Sequence, residues 1–80
     1  MSSVAQRVMT RLQLVEAENN CWRGRARIVQ QERIIARLTH CGHDQTTAER
    51  LLKTMKETQA LLERHRDWLR RELGLATLKA

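Results

Sequence analysis

The chain has 80 residues, no proline, no Phe or Tyr, two Trp and three glycines, with 30 % charged residues and a net charge of +6. This length allows one small domain, 1–80, and this composition belongs to long helices short of the large side chains that fill a compact core. Chains of this kind usually need a staple, a metal or a partner subunit.

Residues 3–40 contain one breaker, Gly24, and predict a first helix, with Ser2 or Ser3 able to cap it. The first fifteen residues hold Arg7, Arg11 and two serines without an acid, a pattern faintly similar to a transit peptide, but they read better as opening helical turns. This helix has two apolar lines. Leu14, Ala17, Cys21, Gly24, Ile28, Gln31, Ile35 and Leu38 form one; Val8, Leu12, Val15, Trp22, Ala26 and Val29 form the other, turned by roughly 150°. A helix apolar on two sides needs two partners. The competing reading is a break at Glu18-Asn19-Asn20, giving three helices.

The stretch THCGHDQTT, 39–47, gathers His40, Cys41, His43 and Asp44. Zinc sites need two separated pairs of ligands, and no second pair follows, so no metal is expected. Cys41 and His43 lie near each other but predict no pocket, oxyanion donor or orienting acid, so no catalytic residue, cofactor or enzyme activity is expected. The simpler reading is a corner at 41–44. Gly42 stops the first helix in a left-handed conformation, with His43 and Asp44 in the turn; Asp44 or Thr46 can cap the second helix, and Thr46 with Glu49 has the spacing of a capping box. So short a corner forces the helices antiparallel.

The second helix is predicted over about 45–73, with a frayed tail over 74–80. Ala48, Leu51, Leu52, Met55, Thr58, Gln59, Leu62, Leu69 and Leu73 share one face. A weaker line follows its edge through Leu61, His65, Trp68, Glu72 and Leu75. In the expected hairpin Leu38 meets Ala48, Ile35 meets Leu51, Gln31 meets Met55, Gly24 meets Leu62 and Ala17 meets Leu69.

Residues 28–69 resemble a widespread group of short uncharacterised bacterial proteins. The shared pattern is Ile28, Gln31, Glu32, Ile35, Ala36 and Leu38, then Gly42, His43 and Asp44, followed by Ala48, Leu51, Leu52, His65 and Arg66. The resemblance implies a helix-to-helix corner and no known activity. In layout alone the hairpin is similar to small plasmid copy-number regulators, which are dimeric and bind RNA.

The sequence therefore predicts an all-α helical hairpin that self-associates through Val8, Leu12, Val15, Trp22, Ala26 and Val29, with Leu61 and Trp68 closing an antiparallel four-helix bundle dimer. Its expected role is protein–protein interaction or assembly, with another helical protein as a further partner. The alternative is a small RNA- or DNA-binding regulator using Arg23, Arg27, Arg33 and Arg37, with Trp22 free to stack on a base. No run is long enough for a membrane span. Cys21 and Cys41 lie ~30 Å apart if both are on one helix, so free thiols and a cytoplasmic setting are expected.

Overall fold

The computed structural model describes residues 3–74. Two helices account for nearly all of them: α1, Ser3–His40, and α2, Thr46–Glu72. They pack against each other as an antiparallel hairpin, and no strand occurs among the described residues. The predicted tail beyond Gly74, with Leu75, lies outside the described residues, as does the alternative cap at Ser2. The molecule measures 61 × 27 × 14 Å, so it is two helices wide and one helix thick. Its radius of gyration is 17.4 Å, against roughly 12 Å for a compact chain of this length.

The predicted inward line of α1 is the packed one. Leu14, Ala17, Cys21, Gly24 and Gln31 are buried, and Ile28, Ile35 and Leu38 are half-buried. Their spacing alternates three and four without interruption, which keeps one stripe facing a partner helix over many turns. On α2 the same alternation runs through Ala48, Leu52, Met55, Gln59, Leu62, Arg66, Leu69 and Leu73, all buried or half-buried. The two stripes thus face each other along the antiparallel hairpin. This corrects two positions of the expected α2 face. Leu51 is 50 % exposed and Thr58 is exposed, because each lies one residue off the seven-residue repeat; Leu52 and Arg66 take the seam. α1 is continuous through Asn19 and Asn20. The buried Ala17 and Cys21 on either side hold it in the seam, and Asn20 accepts a hydrogen bond from Arg23 at 3.3 Å.

The seam is thin and partly polar. Its apolar cluster consists of Leu14, Ala17, Leu69 and Leu73, at the end away from the corner. Further along, two buried glutamines join the helices. The Gln31 amide donates to the Ala48 carbonyl at 3.0 Å, and the Gln59 amide donates to the Cys21 carbonyl at 3.0 Å and to Glu63 at 3.0 Å. The Gln59 carbonyl lies against Gly24, so close that a Cβ there would overlap it. Gly24 therefore faces Gln59, with Leu62, its expected partner, lining the same small cavity. A bare glycine backbone is what lets an amide side chain lie flat between two helices. Leu69 lies in one cluster with Leu14 and with its expected partner Ala17.

The corner is built as expected at its first half. Gly42 has φ +73°. The Gly42 N–H reaches the Thr39 carbonyl at 3.1 Å and the His43 N–H reaches the Leu38 carbonyl at 2.9 Å, which is the Schellman pattern. At its second half Asp44, one of the two expected caps, takes the place of the Thr46–Glu49 capping box. Asp44 accepts from both the Thr46 N–H (3.0 Å) and the Thr46 hydroxyl (2.8 Å). Gln45 occupies the cap position without a side-chain bond to the backbone. Its amide instead donates to Glu49 at 2.7 Å, and its side-chain carbonyl meets the Thr39 hydroxyl across the corner. Glu49 is thereby drawn to Gln45 and away from the helix start. At the opposite end Arg7 donates to the Leu73 carbonyl at 3.4 Å, satisfying an orphan acceptor where α2 stops.

Candidate interaction interface

Behind the seam, α1 carries a second uninterrupted alternation of four and three: Val8, Leu12, Val15, Asn19, Trp22, Ala26 and Val29. It is turned about 150° from the first, so it forms the outer edge of the plate. Every member is exposed: Val8 50 %, Leu12 60 %, Val15 55 %, Trp22 69 % and Val29 45 %, with Asn19 and Ala26 between them. The sequence-predicted interface on α1 is thus one continuous strip. The expected contributors from α2, Leu61 (60 % exposed) and Trp68 (50 %), are not brought onto it.

The two broad faces explain why. One is laced by inter-helix ion pairs: Glu18–Arg70 at 3.1 Å, Arg25–Glu63 at 3.9 Å and Glu32–Lys56 at 3.8 Å. Their α1 members are seven residues apart and alternate in sign, with complementary signs on α2. Trp22 leans toward this face, where it borders a shallow depression with Glu18, Arg25, Arg66 and Arg70. Trp68 precedes Arg70 by two residues, about 200° of helix, and so belongs to the other face. That face carries Gln13, Asn20, Arg27 and Ile34 of α1 and Leu51, Thr58, His65 and Glu72 of α2, with Arg27 and Thr58 lining one small cavity, and no ion pair crosses it among the described residues. There the His65 ring stacks on Trp68, with centroids 6.3 Å apart and planes 14° from parallel.

Arg66 reaches the ion-paired face from a seam position, with its side chain 17 % exposed. Burial works against its charge, but the hydrogen bond and attraction from Asp67 outweigh it, with Cys21 and Glu63 adding to the effect, so the guanidinium is held charged more firmly than usual. The four arginines of the nucleic-acid alternative are all exposed and do not form one stripe. Arg23 and Arg27 share a flank, Arg33 continues the outer strip, and Arg37 lies between. None forms an ion pair among the described residues. Cys21 is buried and Cys41 exposed, both as free thiols. Among the described residues no three His, Cys, Asp or Glu side chains come together, and no helix is long and apolar enough to cross a membrane.

Two features lie beyond the sequence expectations: the alternation of charge along the ion-paired face, and the glutamine–glycine junction. Both carry a signal in the chain: opposite charges every seven residues in the first case, and polar residues inside an apolar heptad line in the second. No protein-family model, curated protein or solved structure matches the chain.

Proposed function

We propose that this protein is a self-associating interaction module, with no chemistry of its own, whose working surface is the outer strip of α1. The observation that carries the reading is the contrast between the two heptad lines of one helix. One is packed on α2, and the other, equally regular and with a single polar member, Asn19, faces solvent. Exposed apolar strips of this length are rare on soluble monomers. The chain exposes 6369 Å², whereas a compact monomer of 9.4 kDa would expose about 5,000 Å². The difference exceeds the ~800 Å² that each partner contributes to a standard interface. The two unpaired thiols fit a reducing, cytoplasmic setting.

Because the two lines lie nearly opposite each other on α1, a second copy docked on the strip would place four helices in a row, not in a closed square. Leu61 and Trp68 would then remain for another helical partner. Light scattering over a concentration series tests the reading: the mass should be twice 9.4 kDa at tens of micromolar. A stable, well-folded monomer there would refute it.

A further inference from the structure

The strip on α1 also has a direction. We infer that two copies meet along it antiparallel, in a register that sets Leu12 against Val29 of the second copy, Val15 against Ala26, and Trp22 against Asn19. This rests on the self-association reading and deepens it.

Three features support this register. The first is volume. The two smallest members, Ala26 and Asn19, each face a larger side chain, Val15 and Trp22, so the layers vary less than in a parallel pairing. A parallel pairing would stack Trp22 on Trp22 and Leu12 on Leu12, beside Ala26 on Ala26, leaving alternate crowding and voids. It would also set Arg33 against Arg33 in line with the strip. The second is polarity. A covered indole needs an acceptor for its N–H. Asn19 is the only polar residue within the strip between Val8 and Val29, and in this register the Asn19 Oδ1 of each copy lies in the layer of the other copy's Trp22. The third is charge. Beside the strip runs the line Arg11, Glu18, Arg25, Glu32, of alternating sign. Reversed in this register it meets itself with opposite signs, Arg11 on Glu32 and Glu18 on Arg25. The same line already pairs with α2 in the same manner, through Glu18–Arg70, Arg25–Glu63 and Glu32–Lys56.

The native chain supplies the test. Cys41 is exposed and Cys21 is 1 % exposed, so a nitroxide label attaches at the corner alone. In the antiparallel dimer the two labels lie about 60 Å apart, from a 1.5 Å rise over the intervening helix. In a parallel dimer they lie side by side. Pulsed dipolar spectroscopy reads the distance, and sedimentation of the same sample reads the mass. A dimer with a separation near 60 Å is expected. A dimer with labels within about 25 Å overturns the direction while leaving self-association standing. A monomeric mass overturns both. The register is read by disulfide trapping in a C41S background. L12C mixed with V29C should give the mixed disulfide, while L12C alone should not link to itself, because its two copies would lie about 25 Å apart and a disulfide needs Cα atoms within ~7 Å. Self-linking of L12C would overturn the register.

Discussion

At the scale of single residues, two glycines carry different physics. Gly42 needs its positive φ of 73° and has open space around it. Gly42→Val should lower stability by about 1–2 kcal/mol in a urea titration, since a β-branched residue resists that conformation; an unchanged midpoint would show that the corner tolerates another geometry. Gly24 has helical dihedrals and no space. Alanine there gains about 1 kcal/mol of helix propensity but displaces the Gln59 amide from the Cys21 carbonyl. We expect Gly24→Ala to destabilise the native protein and to stabilise the Gln59→Ala variant by about 1 kcal/mol, a change of sign read from a double-mutant cycle. Equal effects in both backgrounds would mean that the two residues are not coupled. Asp44 adds a pH dependence. The Thr46 backbone N–H and then its hydroxyl hold this carboxyl below its usual value of 3.8. A depressed folded value means that its contribution is fully present above the unfolded value and is lost as pH falls through the folded one. Asp44→Asn keeps an acceptor, so its stability should vary less than that of the native protein below about pH 4, as acid titration of the helical signal would report.

At the scale of elements, most of the hairpin is legible in its heptad lines. The inward stripe of α1 from Leu14 to Leu38 can be read because its spacing is regular and mostly apolar. The stripe of α2 can be read at Leu62, Leu69 and Leu73 but not at Leu51 and Thr58. A 100° wheel places Leu51 and Thr58 at the edge of the apolar face, one residue from the packed Leu52 and Gln59. The Gln59–Gly24 contact escapes for another reason: it is a polar contact that no pattern of hydrophobicity contains. At the start of α2, Thr46 and Glu49 have capping-box spacing, yet Asp44 satisfies the Thr46 N–H and Gln45 holds Glu49. Competition among adjacent polar residues is decided by geometry, which spacing leaves open. The arginines of α1 also belong to this scale. Being scattered around the helix, they offer no continuous track for a phosphate backbone. At physiological salt we expect no measurable RNA or DNA binding by fluorescence anisotropy. A sub-micromolar complex, weakened by Arg23→Ala with Arg27→Ala and with a salt slope reduced by roughly two, would shift the reading to a nucleic-acid regulator.

At the scale of the whole molecule, stability and association are one question. The plate has five buried apolar side chains, Leu14, Ala17, Cys21, Leu69 and Leu73, against eleven large ones left exposed. Its ion pairs are surface pairs, with side chains about 40–56 % exposed across the three inter-helix bridges, and such pairs contribute little each. Under the proposed self-association, a hairpin so lightly held would gain its missing layer from a second copy, and that gain would grow with concentration. Leu12→Asp with Val15→Asp places charges on the outer strip and touches nothing in the seam. If the strip only decorated a self-sufficient hairpin, the double variant would keep its helicity and unfold at the native midpoint. If the second copy completes the fold, the variant loses its partner and, with it, much of its helix. Mass and circular dichroism should fall together, and the denaturation midpoint of the native protein alone should rise with its concentration. Trp22 reports the same event from inside the interface, its emission moving to the red as the strip meets water. A variant that becomes monomeric while its helicity stays native would separate the two, leaving the hairpin stable by itself and the strip as an association surface only.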